Sequence, residues 1–532
     1  MADTPVFSRA AAAAPHHLAA ESGRAVLAEG GDAVEAMIAM AATIAVVYPH
    51  MNAIGGDAFW LIREPTGQMR AIEACGPAGS LATIVRYRDK GHDVIPGRGP
   101  DAAVTVAGAV GGWALANEFS KAQTGGRLPL STLLEDAVRH AREGCAVSAS
   151  EARGVPNLFE DLKQAPGFAA QFLQDGALPK AGAVRTMPRL ADTLEQLGHA
   201  GLDDFYRGDI GREIGADLEQ LEAPVTRADL ARFHARLVKP LGLAAPGAKL
   251  YNFPPPTQGL ASLIILGLFA RLGVTRGEGF EHLHGLVEAT KRAFRVRDAV
   301  VTDPARLIHE PADYLSDAFL NEQAAQISMS KAARFPLSWG EGDTVWMGAI
   351  DAKGMAVSYI QSTYWEYGSG CVLPRTGMLW QNRGISFSLD KDAVNPLEPG
   401  RKPFHTLNPA LAVLDDGRVV SYGSMGGDGQ PQFQAAILSR YAQFGMDPAA
   451  AVDAPRWLLG KTWGSASTSL KLENRFDPSL VRALEQAGHE VEVLPDSYSD
   501  TVGHAGMLVR DPRNGSVAAV HDPRSDGGSA GV

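Results

Sequence analysis

The sequence predicts an α+β fold in which antiparallel sheets are covered by helices. Three observations predict it: alternating apolar segments paired across short turns, long stretches of helical apolar spacing between them, and no repeat at solenoid spacing. The first helix is expected at about Leu18–Ala28, ended by Gly30-Gly31, and Asp32 is placed to cap an apolar helix over Ala33–Val47. That helix stops at Tyr48-Pro49-His50. Asn52–Asp57, with Gly55-Gly56, reads as a tight turn before a strand at Ala58–Arg63 and its hairpin partner at Gln68–Glu73. The middle, about 105–320, reads as mostly helical, with helices at Leu128–Arg142, Met187–Leu197 and Glu281–Val301. Pro254–Gly259 breaks the chain before an apolar helix at Leu260–Leu272, and Gln326–Asp343 reads as an exposed connection. Hairpins then take over: Thr344–Ile350 with Met355–Ser362, and Ala410–Leu414 with Val419–Tyr422. Helices at Pro431–Phe444 and Pro478–Ala487, a strand at Glu490–Leu494 and a last hairpin, Gly506–Arg510 with Ser516–His521, close the chain. Low complexity is confined to Ala10–Ala14.

Composition narrows the function classes. With 532 residues, 45% of them hydrophobic and 20% charged, the chain has enough apolar material for a large core and a closed pocket. A net charge of -11 without any basic stripe argues against nucleic acid and gives no attraction to anionic membranes. Cys75, Cys145 and Cys371 match no metal or redox spacing and read as reduced thiols of a cytoplasmic protein. Met1–Pro5 lacks the basic patch and apolar core of a signal peptide, and Ala33–Val47 carries Glu35 and is too short to span a bilayer.

Three segments carry chemistry. Thr344 stands where the Gly342-Asp343 loop turns into a buried strand. A cut before it creates an α-amine, titrating at roughly pH 8, beside the residue's own hydroxyl, so one residue supplies nucleophile and base. Counting across the hairpin turn brings Ser362 to the same strand end, where it can orient the threonine or simply cap the strand. Gly426-Gly427, after a strand and before a helix with Pro431 in its first turn, can aim two backbone amides at one point. Such turns also cradle phosphate or merely turn. Arg383 offers a fork for a carboxylate, although a lone loop arginine is usually solvated. His16-His17 reads as a solvated pair near a helix start, His50 and Asn52 as supports of the glycine turn, and His521-Asp522 as structural.

The order of these segments resembles the γ-glutamyltransferase family of N-terminal nucleophile hydrolases. The resemblance runs through Ala20-Glu21-Ser22-Gly23 with Gly30–Ala36, Pro49-His50 with Gly55-Gly56, Pro254-Pro255-Pro256, Asp343-Thr344, Gly426-Gly427 and Asp522-Pro523-Arg524-Ser525, and so spans nearly the whole chain. It implies a four-layer αββα sandwich, and self-cleavage between Asp343 and Thr344 into a large fragment, 1–343, and a small one, 344–532, that stay together as one catalytic unit. It also implies Thr344 as nucleophile, Gly426 and Gly427 as oxyanion hole, Ser362 in place of a supporting threonine, and no cofactor or metal. His405 and Thr406 fall where transferases carry a serine pair that helps hold the glutamyl carboxylate.

The departures from the family pattern bear on substrate. Cys75 replaces the arginine that holds a glutamyl carboxylate, and Tyr364, Arg383 and Ser386 replace an Asn, a Gln and an Asp of the glutamyl site. Losing that Asp removes the partner of an α-ammonium, a change that commonly costs about 2–5 kcal/mol. Arg383 adds positive charge, and the short segment from Ser386 to His405 leaves room for only a small lid. The chain therefore looks most like the cytosolic transferase-like branch that includes oxamate amidohydrolases and certain acylases, with a small carboxylate-bearing amide as substrate. The competing readings are a true γ-glutamyltransferase or glutathione hydrolase with a rebuilt carboxylate site, and an inert binding scaffold. Intact Thr344, Gly426 and Gly427 argue against the scaffold, and whether the units pair further is left open.

Overall fold

In the computed structural model, described over residues 3–334, 343–460 and 468–532 (the backbone only at Asp343), two antiparallel sheets of seven strands lie face to face. In chain order the strands are β1 (Val6–Phe7), β2 (Ala11–Ala14), β3 (Asp57–Arg63), β4 (Met69–Ala74), β5 (Arg236–Val238), β6 (Leu241–Ala245) and β7 (Ala248–Asn252). They continue as β8 (Asp343–Ile350), β9 (Ala356–Tyr364), β10 (Ala410–Leu414), β11 (Val419–Ser424), β12 (Ala505–Arg510), β13 (Val517–His521) and β14 (Gly528–Gly531). One sheet has the order β14-β2-β8-β9-β3-β4-β5, the other β1-β13-β12-β11-β10-β7-β6. In both sheets, strands from before and after residue 343 lie side by side.

Strand β8 shows why the sequence forms these layers. Trp346 and Ile350 point between the sheets, among Phe59, Phe253, Leu411 and Leu508. Val345, Met347 and Ala349 point the other way, into the helical layer. Trp346 fills the inter-sheet space and donates from Nε1 to Ser358 Oγ at 2.9 Å. Its indole fits because the facing strands carry glycine. A Cβ at Gly423 would lie 2.1 Å from the Trp346 ring, and one at Gly506 2.2 Å from it.

Helices cover both outer faces. On β8 and β9 lies α2 (Ala33–Val47), preceded by α1 (His17–Ala28) and backed by α3 (Leu130–Glu143), which α4 (Pro188–Ala200) packs against in turn. Every residue of α2 is buried, and each large apolar side chain contributes about 1.5–3 kcal/mol. Asp32 caps this helix as expected, and Glu35 completes a capping box: Asp32 Oδ1 accepts from the Val34 and Glu35 amides at 3.0 and 2.9 Å, while Glu35 accepts from the Asp32 amide at 3.0 Å. Asn52 Nδ2 closes its other end, donating to the Ile44 and Tyr48 carbonyls. On the opposite side, α5 (Gly259–Phe269), α6 (Phe280–Val300) and α7 (Gln430–Leu438) build the second helical layer. Among the described residues no helix is long and apolar enough to cross a membrane.

Several elements differ from the sequence reading. The alanine tract is strand β2, between β14 and β8, where small side chains let neighbouring layers approach and tertiary context overrides helix propensity. The supposedly helical middle contributes β5, β6 and β7 to the sheet edges. β14 follows the hairpin expected to end the chain. His16 is buried and caps α1, its Nδ1 accepting from the Leu18 amide at 3.3 Å, rather than being solvated. The expected 326–343 connection falls partly outside the described residues, but its first part is pinned. Glu288 accepts from Lys291 Nζ at 2.6 Å and from the Ala333 amide at 3.1 Å, beside His284 and His489, whose rings share a hydrogen bond of 2.8 Å.

Gly423→Ala should lower stability by about 1–3 kcal/mol through overpacking against Trp346. Urea unfolding of this variant should show an earlier midpoint at unchanged slope, and an unaltered midpoint would contradict the packing described.

Candidate active site

One end of the first sheet gathers the sequence-predicted residues in a row. Asp343 pairs with Tyr364 and Val345 with Gln361, so a bulge sets Ser362 and Thr363 opposite Thr344. Ser362 in turn pairs with Asp57 on β3, and Cys75 follows Ala74, the partner of Ala58. Thr344, 1% exposed, has its hydroxyl 3.4 Å from Gln430 Nε2, a donor at the first residue of α7. Ser362 Oγ accepts from the Tyr364 amide at 2.7 Å. The glycine pair before β3 serves close approach, since a Cβ on Gly56 would lie 2.2 Å from the Ser362 carbonyl oxygen.

The second sheet faces this row with the turn between β11 and α7. Gly426 and Gly427 have φ of 114° and 51°, in the left-handed region that favours glycine. The three carbonyls of the turn are held from behind. Met425 O accepts from Ser424 Oγ, Gly426 O from the Gly429 amide and Gly427 O from Gln258 Nε2, each at 2.8 Å. A trans peptide is planar, with N–H and C=O opposed, so anchoring the Met425 and Gly426 carbonyls aims the Gly426 and Gly427 N–H groups away from those anchors. Neither N–H has an acceptor among the described residues. Two unoccupied donors on one turn, backed by a helix start, can stabilise an oxyanion.

Arg383, expected within the pocket, is 1% exposed rather than a solvated loop arginine, in the turn Arg383–Ser386. Its Nη1 donates to Thr406 Oγ1 at 3.1 Å, and its guanidinium carbon stands 3.2 Å from the centroid of the Tyr364 ring. Nε and Nη2 have no hydrogen-bond partner among the described residues. Tyr364 itself adopts φ of 84°, an outlier for an aromatic residue. Ser386 Oγ lies 3.1 and 3.0 Å from the Arg383 and Phe404 carbonyls, either of which can accept its one proton. His405 is fully buried, its ring edge-on to Phe59, and both ring nitrogens lack partners among the described residues.

Asp57 was not anticipated. Its Oδ1 accepts from the Gly76 and Gly108 amides at 3.1 and 3.0 Å, and its Oδ2 lies 3.6 Å from His405 Nε2. Burial pushes its carboxyl up to about 7 against those hydrogen bonds and the nearby Arg383 charge. Burial, reinforced by Arg383 and Lys402, holds His405 well below the ordinary histidine range, so the imidazole is neutral at pH 7. Burial likewise lowers Arg383 and raises the Cys75 thiol well above its usual value. Cys75 therefore contributes no charge where the family pattern has a cation. Asp57 follows Gly55-Gly56, a signal spent on reading a turn. Gln258 and Gln430 gave no signal beyond preceding or opening a helix. His521 and Asp522 serve the structure: His521 stacks on Trp346, and Asp522 pairs with Arg456 and Arg524.

Comparison with known proteins identifies the family. The gamma-glutamyltranspeptidase family profile matches residues 19–532. The chain is 49% identical over 531 residues to the oxamate amidohydrolase proenzyme of Klebsiella pneumoniae subsp. pneumoniae, covering 100% of both chains. It is 38% identical over 526 residues to the glutathione hydrolase-like YwrD proenzyme of Bacillus subtilis, covering 97% of each. Among solved structures, the cephalosporin acylase from Bacillus halodurans matches with a TM-score of 0.91 at 31% identity, over 100% of this chain and 97% of that one.

The raised Asp57 carboxyl has a measurable consequence. Between about pH 4 and its folded value of about 7, the folded chain holds a proton that the unfolded chain has released, so stability falls as pH rises through that window. Asp57→Asn should flatten this fall by a few kcal/mol in denaturation measured across pH, whereas parallel curves for variant and parent would refute the assignment.

Proposed function

This chain belongs to the gamma-glutamyltranspeptidase family and is an amide-hydrolysing enzyme, and on that premise we propose that it cleaves a small carboxylate-bearing amide, oxamate first among them, through an acyl-enzyme on Thr344. The observation that carries the substrate class is Arg383: a buried guanidinium with two nitrogens unpaired among the described residues, at the site end that holds Thr344 and the Gly426-Gly427 turn. An anionic ligand supplies the acceptors that this cation lacks. The neutral Cys75 and the absence of an Asp at Ser386 favour a substrate without an α-ammonium.

Maturation begins with the Thr344 hydroxyl attacking the Asp343 carbonyl. The peptide bond gives way to an ester, and water cleaves the ester to leave fragments 1–343 and 344–532. The freed α-amine then takes the Thr344 hydroxyl proton as Oγ attacks the substrate amide. Gly426 and Gly427 N–H groups receive the developing oxyanion, worth about 3–4 kcal/mol per donor. Collapse of the tetrahedral intermediate breaks the C–N bond, and ammonia leaves with the proton held by the amine. Water, activated by the same amine, hydrolyses the ester and frees a dicarboxylate. Ser362, which receives the Tyr364 amide, supports the strand end facing Thr344. Both fragments remain one catalytic unit, and the free, buried cysteines favour the reducing cytoplasm as its location.

Mass analysis of the purified protein should find a light fragment beginning Thr-Val-Trp-Met, with Thr344→Ala remaining a single uncut chain. Arg383→Ala should lower kcat/KM on oxamate by about 100-fold or more while sparing an uncharged amide. Full retention of oxamate turnover by that variant would sink the carboxylate assignment. Faster wild-type turnover of a γ-glutamyl anilide than of oxamate would instead favour a glutamyl transferase.

A further inference from the structure

The Gly426-Gly427 turn and Arg383, the groups proposed above to receive the acyl oxygen and the carboxylate, lie on two different chain segments, and one buried side chain joins them. Gln258, the residue before α5, donates from Nε2 to Gly427 O and to Thr406 O, both at 2.8 Å. Its Oε1 accepts from Arg297 Nη1 at 2.9 Å. Two carbonyls on one side and a guanidinium on the other fix the orientation of this amide without ambiguity. Its backbone amide also donates to His405 O at 3.0 Å. Thr406 holds Arg383 through its hydroxyl, and Arg297 pairs with Asp428 at 3.1 Å, next to Gly427. Gln258, Arg297, Thr406, Asp428 and Arg383 are all buried. A continuous set of hydrogen bonds thus runs from the carboxylate-binding arginine through Thr406 and Gln258 to the oxyanion turn, braced by Arg297 from α6.

We propose that Gln258, held by Arg297, is a positioning residue that fixes the distance between the oxyanion turn and Arg383, and thereby selects amides whose carboxylate is attached directly to the scissile carbonyl. The inference rests on the reading of the chain as a hydrolase of oxamate-type amides, and it adds the reason for that preference. No other side chain of this length offers two donors toward carbonyls and an acceptor toward a guanidinium. One further carbon–carbon bond between carboxylate and amide adds about 1.5 Å. A misplacement of about 1 Å at the reacting centre can cost on the order of 100-fold in rate. A rigid spacing therefore discriminates sharply between oxamate and its one-methylene homologue, malonamate, and a loosened spacing does not.

The test compares kcat and KM on oxamate and malonamate for the self-cleaved wild type and for Gln258→Met, Gln258→Glu, Arg297→Met and Arg297→Lys, each checked by its unfolding midpoint. In Gln258→Met, oxamate turnover should drop by about 100-fold, mostly in kcat, because Arg383 still binds the carboxylate while the oxyanion no longer meets the paired N–H groups. Malonamate turnover should drop far less, so the preference for oxamate shrinks at least 10-fold. Gln258→Glu keeps the shape but sets a carboxylate against two carbonyls, and should behave like Gln258→Met. Arg297→Met acts on the same set of bonds from outside and remains informative if the Gln258 variants fail to fold. It should narrow the preference as well, and Arg297→Lys should narrow it less. An equal loss on both amides, leaving the preference intact, overturns the positioning role alone. A wild type that releases no ammonia from oxamate overturns the functional reading and this inference with it.

Discussion

The architecture depends on holding β8 from both faces at once. Its odd and even residues belong to two different cores: Trp346 and Ile350 to the space between the sheets, Val345 and Met347 to the layer under α2. A strand fixed in this way cannot slip by one residue, because a slip would exchange every buried side chain for its neighbour. The hydroxyl of Thr344 therefore has a fixed height and direction relative to Ser362, Asp57 and the opposing Gly426-Gly427 turn. A side chain placed at the end of such a strand has its geometry set by burial energy rather than by its own weak contacts.

Two opposite treatments of polar groups then divide the site. In the Gly426-Gly427 turn every carbonyl has a donor behind it, which leaves the N–H groups as the unspent side of rigid peptide planes. At Arg383 the protein supplies one hydroxyl and an aromatic face, and leaves two nitrogens unpaired in a dry environment. Burying a guanidinium without full compensation costs several kcal/mol. Neutral His405 and the proton-retaining Asp57 beside it keep the subsite from cancelling that charge at mild pH.

Much of the fold could be read from the chain where local chemistry and tertiary role agree. Asp32 announces the start of α2, Asp351–Gly354 announces the β8–β9 turn, and Gly426-Gly427 before Pro431 announces a strand-to-helix turn with unpaired amides. Reading failed where the two levels disagree. Ala11–Ala14 has the intrinsic preference of a helix but is needed as a thin strand. Leu241–Ala245 and Ala248–Asn252 have the weak alternation of an edge hairpin. In the site, residue type gave the chemistry of Arg383 but not its contacts, which are the Tyr364 ring and the Thr406 hydroxyl. Asp57 and Gln258 were invisible for a related reason. Their roles arise from backbone atoms of Gly76, Gly108, Thr406 and Gly427, far away in sequence.

The interleaving of strands gives a cut before Thr344 a lasting consequence. In one sheet β2 lies between β14 and β8, and in the other β7 adjoins β10, so each ladder is stitched from both segments. A severed backbone leaves the native object whole, because dissociation would tear several ladders together. Regaining that state after full denaturation is another matter. A single polymer finding its shape becomes a second-order encounter between two incomplete partners, each with unpaired edges prone to aggregation. The mature protein should thus persist by the slowness of its unravelling more than by any capacity to reassemble.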